Sequence, residues 1–232
     1  MLQLPGTPVR AWWGDASFGD QRRLGDGGPW PVPEAPRRLV RVHQVHGAGV
    51  VAVGDPVPAG CRAWEPPPEL SDADALVSSA VDTTLCVLTA DCGPVALGSP
   101  QGLHGAVHVG WRGLQAGVVE AAVEALRAMG GDPIVAAVGP AIGPCCYEFS
   151  AADLDPLAAR YGDSVRARSA RNRPALDLVA GIAAAVEGAG AELIATGCCT
   201  GCSARHFSHR VRRDQGRQAM LVWRPTSKAA GR

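Results

Sequence analysis

A chain of 232 residues with 47% hydrophobic side chains is long enough to bury a sizeable core as one large domain. Lys plus Arg equals Asp plus Glu at 22 each, and this balance argues against nucleic acid or an anionic membrane as the main partner. No apolar run approaches a bilayer span, and residues 1–10 hold no charged stretch leading into an apolar one. A soluble, cytoplasmic protein with reduced cysteines is therefore expected.

Residues 1–38 read as irregular, glycine-rich from Gly19 to Gly28 and then broken by Pro31, Pro33 and Pro36. At most a strand or two is expected there, one of them near Val9–Trp13. A strand over Gly49–Val53 follows, then a loop over Pro56–Pro68, extended by the fixed φ of its prolines. Short β-branched runs predict strands over Leu85–Leu88, Pro94–Leu97 and Gly105–Val109. Leu114, Val118, Val119, Ala122, Leu126 and Met129 fall on one helical face, which predicts a helix over Leu114–Met129 stopped by Gly130-Gly131. Beyond it come a strand over Ile134–Val138 and a short helix over Ala151–Arg160. A helix over Leu176–Glu187, with Val179, Ile182, Ala183 and Val186 inward, precedes a last strand over Ala219–Trp223. No repeat or linker divides the chain, so residues 1–232 read as a single domain. Strands mixed with helices, without strict βαβ alternation, predict an α+β fold of mixed β-sheets with flanking helices.

Three short segments carry metal-capable side chains: His43-Gln44-Val45-His46-Gly47, Ala90-Asp91-Cys92-Gly93-Pro94, and Val107-His108-Val109-Gly110-Trp111-Arg112-Gly113. One imidazole from each outer segment and one thiolate from the middle make a set that zinc accepts, with a fourth position open for water or substrate. His46, Cys92 and His108 are the preferred ligands, and His43 is the rival in the first segment. The ligands come from separated strand ends, unlike a zinc finger, so a folded scaffold must assemble them. Asp91 reads as an acceptor that orients a histidine, as a general base itself, or as a plain turn aspartate. Arg112, next to a predicted helix start, suits an anion such as phosphate or a surface ion pair. Arg205, Arg210, Arg212, Arg213 and Arg217 read either as a phosphate or nucleotide contact or as a solvated basic face. Cys145-Cys146 and Cys198-Cys199-x-x-Cys202 look like half of a structural zinc site, or a source of disulfides.

At these residues the sequence resembles the laccase-domain (YfiH-type) family, historically labelled multicopper polyphenol oxidase. The resemblance rests on Gln44-Val45-His46-Gly47, Asp72-Ala73-Asp74-Ala75-Leu76-Val77, Thr89 to Val95 and His108 to Gly113. It continues through Val138-Gly139-Pro140-Ala141-Ile142, Asp177-Leu178, Cys199-Thr200, Phe207-Ser208 and Gly216-Arg217, in family order across roughly residues 40–224. It implies an α+β fold like that of cytotoxic necrotising factor catalytic domains, and zinc at His46, Cys92 and His108. It also implies purine nucleoside chemistry: phosphorolysis of adenosine, inosine, guanosine or methylthioadenosine, and deamination of adenosine. The family's N-terminal Thr-Arg-x-Gly-Gly-Val-Ser segment is not recognisable in residues 1–38, and His209 stands where an aromatic residue is usual.

The leading expectation is a zinc-dependent purine nucleoside phosphorylase with adenosine deaminase and methylthioadenosine phosphorylase activity. Its catalytic residues would be His46, Cys92, His108 and Asp91, with Arg112, Arg210 and Arg217 binding phosphate. Its partners would be small molecules, with neither nucleic acid nor membrane. An alternative makes Cys92 a nucleophile and His108 its base in a metal-free hydrolase or amidase, a chemistry suited to editing peptidoglycan precursors. A copper polyphenol oxidase is disfavoured, because only six histidines are present. A non-catalytic binding protein is the remaining reading.

Overall fold

A computed structural model of the chain describes residues 1–25, 30–54, 71–195 and 197–225. The predicted Pro56–Pro68 loop lies outside the described residues. In chain order the first strands are β1 (Leu2–Gln3), β2 (Arg10–Trp13), β3 (Arg38–Val40) and β4 (Val50–Val53). They are followed by β5 (Ala75–Ser78), β6 (Thr83–Thr89), β7 (Gly93–Gly98) and β8 (His104–Val109). Helices α1 (Trp111–Ala116) and α2 (Val118–Ala128) lead to β9 (Val135–Val138) and α3 (Ala151–Tyr161). The hairpin β10 (Arg166–Arg168) and β11 (Pro174–Leu176) precedes α4 (Leu178–Gly188), β12 (Glu192–Ala195), α5 (His209–Arg212) and β13 (Gln218–Trp223).

The strands build two large sheets, one in the order β1-β2-β13-β6-β3 and the other β12-β9-β7-β8-β5-β4. Both mix parallel and antiparallel pairs, which makes the fold α+β with mixed sheets and flanking helices. Period-two alternation explains the layering. Leu85 and Val87 of β6, Met220 and Val222 of β13, and Ala96 and Ala106 of the facing sheet join one buried cluster between the sheets. The intervening Val95, Leu97, Val107 and Val109 face the helices and pack with Leu114, Val118, Leu126 and Ile182. On the outer side of the first sheet, Cys86, Leu221 and Trp223 are covered by Leu24, Val32 and Ala35 from the irregular N-terminal region.

Several elements depart from the sequence expectation. The predicted Leu114–Met129 helix is two helices, broken at Gly117, whose φ of 89° is left-handed. Met129 lies past the break-point of the buried stripe and is 37% exposed, while Val123 takes the inward position. The helix expected from Leu176 begins at Leu178, because Leu176 pairs in β11 and the Asp177 side chain caps the Ala180 amide at 2.9 Å. Val179 and Ala183 of this helix are only partly buried, whereas Ile182 and Val186 are inward. No described helix is long and apolar enough to cross a membrane.

Candidate metal centre

Cys92 lies in the link between β6 and β7, where the chain passes from one sheet to the other. His108 is near the end of β8 on the face shared with Ala106, so its imidazole turns into the space between the sheets at their margin. His46 is brought there by the segment before β4. Gln44 fixes that segment by exchanging two bonds with the main chain of Leu88 at the end of β6, at 2.8 and 2.9 Å. The donor atoms of His46, Cys92 and His108 lie within 4.8 Å of one another, with Cys92 Sγ 3.7 Å from His46 Nε2. A tetrahedral zinc would set a nitrogen and a sulfur ligand about 3.6 Å apart, so this spacing suits one ion.

Asp74 organises the whole cluster. It sits immediately before β5, and strand register places Ala75 opposite Val107, so Asp74 meets His108. Its main-chain oxygen accepts from the His108 amide at 2.7 Å, and its Oδ1 lies 2.7 Å from His108 Nδ1. The same carboxylate accepts from three successive amides, Val45 at 3.2 Å, His46 at 3.0 Å and Gly47 at 2.6 Å. These amides form an anion-binding nest, and His46 adopts the left-handed φ of 61° that such a turn requires. Burial opposes ionisation of Asp74, yet the bonds from His108, Gly47 and His46 hold its carboxyl below the usual value. An ionised carboxylate only accepts, so His108 Nδ1 carries a proton and Nε2 is the nitrogen that would release its own to bind a metal.

Burial alone would push the Cys92 thiol up, but His108 beside it and bonds from both imidazoles outweigh this and bring it down to about 6. Burial likewise works against a charged His108, and the Cys92 thiolate and Asp74 raise it to about 9. Gly110 makes the cluster's close packing possible: a Cβ there would come within 2.6 Å of His46 Cδ2 and 3.2 Å of Cys92 Sγ.

The three donors open onto a cleft of about 630 Å³ lined by Arg22, Arg112, Arg210, Arg217, Trp111 and Tyr147 among others. Arg112 lies over the Trp111 ring at 4.4 Å and Arg210 over the Tyr147 ring at 5.1 Å. Neither guanidinium has a carboxylate partner among the described residues. Arg217 is committed differently, its Nη1 donating to the main-chain oxygens of Asp214, Gln215 and Gly216 at 3.4, 3.0 and 2.9 Å.

Residues 32–225 match the family model described as multi-copper polyphenol oxidoreductase laccase. The chain belongs to this family. A Streptomyces coelicolor relative named purine nucleoside phosphorylase is 41% identical over 192 residues, covering 81% of this chain and 76% of its own. A Pseudomonas aeruginosa relative of the same name is 31% identical, covering 85% of this chain and 82% of its own. Among solved structures, YlmD from Geobacillus stearothermophilus superposes with a TM-score of 0.72 at 28% identity, covering 82% of this chain and 74% of that one. Residues 1–31 lie outside the family match, yet they give β1 and β2 to the first sheet and Arg22 to the cleft.

Within this laccase-like scaffold the residues singled out from sequence separate into groups. His46, Cys92 and His108 converge. His43 lines the cleft but stands apart from the donors, its Nδ1 2.7 Å from the exposed Asp72. Asp91 corrects an expectation: it orients neither histidine. Its carboxylate is buried and accepts from Thr200 Oγ1 at 2.7 Å and the Arg210 amide at 2.6 Å, with φ at 99°, and so ties two later loops to the cleft floor. Arg205 pairs with Asp15 at 2.9 Å, and Arg212 with Asp214 at 3.0 Å, both away from the cleft lining. Sequence reasoning missed Asp74 and Tyr147 as site residues. Asp74 was visible only as part of the Asp72-Ala73-Asp74 stretch, and nothing local in that stretch tells which carboxylate turns inward.

Proposed function

We propose that the chain is a zinc-dependent purine nucleoside phosphorylase acting as one domain, with His46, Cys92 and His108 as the metal ligands. The observation that carries this reading is one arrangement: two imidazoles and a low-pKa thiol, opening onto a cleft walled by arginines and aromatic rings. The donor chemistry fits zinc, since the thiolate form is favoured and Asp74 engages His108 Nδ1, which leaves Nε2 to bind the metal. Bound there, zinc supplies Lewis-acid polarisation of an oxygen. The chain's own residues do the rest. Arg112 and Arg210 take the phosphate by charge-assisted bonds, each guanidinium backed by an aromatic ring, Trp111 and Tyr147 respectively. Phosphate held on the arginine side attacks the anomeric carbon while the base leaves, and Asp91 positions Arg210 through its amide. The relatives named purine nucleoside phosphorylase support the substrate class. Adenosine deamination and methylthioadenosine phosphorolysis are finer extensions of the same reading.

A second reading has its own support. Cys92, His108 and Asp74 are arranged as nucleophile, base and orienting carboxylate, as a metal-free cysteine hydrolase requires. One set of measurements separates the two. Freshly purified protein is assayed for zinc and copper by elemental mass spectrometry and for ribose 1-phosphate release from inosine, adenosine and guanosine with inorganic phosphate. The phosphorylase reading expects phosphate-dependent turnover, abolished by chelator and restored by zinc. Cys92→Ala should lose about one zinc per chain and the turnover with it, since only two of the three protein ligands remain. Phosphate-independent hydrolysis that survives chelation and stops on alkylation of Cys92 would establish the hydrolase instead. Copper bound in place of zinc, with oxygen consumed on phenols, would return the oxidase.

A further inference from the structure

Four cysteines outside the cleft form a second sulfur cluster. Cys145 and Cys146 follow β9 in a short turn of 3-10 helix over Pro144–Cys146, and Cys199 and Cys202 belong to the loop after β12. The two loops are aligned by a parallel bridge between Ala141 and Cys199. Cys145 Sγ lies 3.5 Å from Cys199 Sγ and 3.3 Å from Cys202 Sγ, and Cys146 Sγ is 3.5 Å from Cys202 Sγ. All four sulfurs fall within 4.8 Å of one another. Cys145 thus has two near-equal neighbours and no single partner, which describes ligands around a common centre better than two paired disulfides.

We propose that Cys145, Cys146, Cys199 and Cys202 bind a structural Zn²⁺ that clips the 143–147 loop to the 198–203 loop. Four thiolates complete a closed tetrahedral site, and at a Zn–S length of about 2.3 Å their sulfurs stand about 3.8 Å apart, within about half an ångström of the three short spacings given above. The surroundings match a coordinated thiolate cluster. The Gly143 amide donates to Cys199 Sγ at 3.1 Å, the bond by which backbone amides offset thiolate charge. The Arg212 guanidinium, paired with Asp214, also donates to the oxygens of Gly201 and Thr200 at 3.1 and 3.3 Å and so braces the second loop. The backbone also comes close at Gly201, where a Cβ would lie 2.9 Å from Cys146 Sγ. Cys198, adjacent in sequence, is exposed and points instead toward His206 at 3.8 Å, so the cluster selects four of the five cysteines in these two loops.

The clip has a structural consequence for the cleft. The first loop leads directly into Tyr147, whose ring lies under Arg210, and the second carries Thr200, which bonds Asp91. Holding the loops together fixes the cleft wall without adding a ligand to it.

The test uses the native full-length protein and does not depend on the proposed activity. Alkylation by iodoacetamide is mapped by mass spectrometry without reductant, before and after chelation. The expected result is rapid labelling of Cys198, with Cys145, Cys146, Cys199 and Cys202 protected together until the metal is removed. Elemental analysis should find about one zinc per chain remaining in Cys92→Ala and none in the Cys92→Ala, Cys145→Ser, Cys202→Ser variant. Cobalt loaded into Cys92→Ala should give the intense thiolate-to-metal charge transfer of a four-sulfur site, and this readout needs no variant of the cluster. Two results would overturn the proposal: immediate labelling of all four cysteines, or protection relieved by reductant rather than chelator, which would mean disulfides.

Discussion

Strand β8 carries a histidine near each end, on the same face and both buried: His104 is 0% exposed and His108 is 3%. Their environments drive them in opposite directions. His104 Nδ1 is 3.2 Å from the Gly102 oxygen, its Nε2 has no partner among the described residues, and burial pushes its pKa down to about 4. At the other end the Cys92 sulfur and the Asp74 carboxylate overcome the same burial and raise His108 to about 9. Burial therefore does not decide what a core histidine does. The partner decides it, and here a carboxylate arriving from the neighbouring strand separates a structural imidazole from a functional one.

The widest expected effect follows from removing the charged half of that contrast. In metal-stripped protein, iodoacetamide should alkylate Cys92 with a midpoint near pH 6, because His108⁺ stabilises the thiolate. His108→Ala removes the strongest interaction opposing burial and leaves only His46, so the midpoint should rise toward that of an ordinary thiol, roughly 8.5, a loss in thiolate at pH 7 of about thirtyfold. An unchanged midpoint in the variant would mean that the two side chains are not paired.

Next comes Asp74→Asn, which keeps the shape but can neither fix the His108 tautomer nor hold the three amides as strongly. Zinc affinity at the cleft should fall about 10–100-fold, as is usual when a ligand's orienting carboxylate is lost. The pH dependence has a definite sign. A carboxyl held below its unfolded value stabilises the fold above that value, near 3.9, and the gain disappears as pH falls through the folded pKa. Urea denaturation from pH 7 down to pH 3 should therefore show wild type losing more stability on acidification than Asp74→Asn. Equal loss in both would remove Asp74 from the account.

Gly110→Ala should weaken activity and metal binding by about tenfold while leaving the melting temperature nearly unchanged, since the added methyl meets His46 and Cys92 rather than the core. A variant that binds metal normally would show that the cluster has room to give.

How much of this was legible in the sequence depends on the range of the interaction. His46, Cys92 and His108 could be picked out because each ligand type declares itself and each sits beside glycines at a strand end. The strands over 85–88, 94–97, 105–109 and 219–223 announced themselves by β-branched runs, and the observed β6, β7, β8 and β13 contain them. β5 did not: Ala75, Leu76, Val77 and Ser78 are all buried, so the short run lacks the alternation that marks a half-exposed strand. Asp74 was missed for the same reason one step further on. Which of Asp72 and Asp74 faces the site follows from the register of β5 against β8, a pairing between residues more than thirty apart. The break at Gly117 was hidden because a single glycine inside an apolar helical period is compatible with either one helix or two.

The smallest effect at neutral pH, and none on turnover, belongs to the structural end of β8. His104 is neutral in the fold, whereas in the unfolded chain it takes up a proton near pH 6.5. The unfolded state therefore binds more protons between about pH 6.5 and 4, and stability falls as pH is lowered through that window. Above the window the two states are matched and the residue contributes no pH dependence. By pH 4 the loss reaches about 3 kcal/mol, the free-energy equivalent of the displacement from 6.5. His104→Gln keeps a donor for the Gly102 oxygen and cannot titrate, so its urea midpoint should decline less than wild type across this window, the remainder coming from groups such as His206 that burial also holds down. If the variant declines in parallel with wild type, the acid sensitivity lies elsewhere, and the contrast between the two ends of the strand reduces to the Cys92 and Asp74 partners of His108.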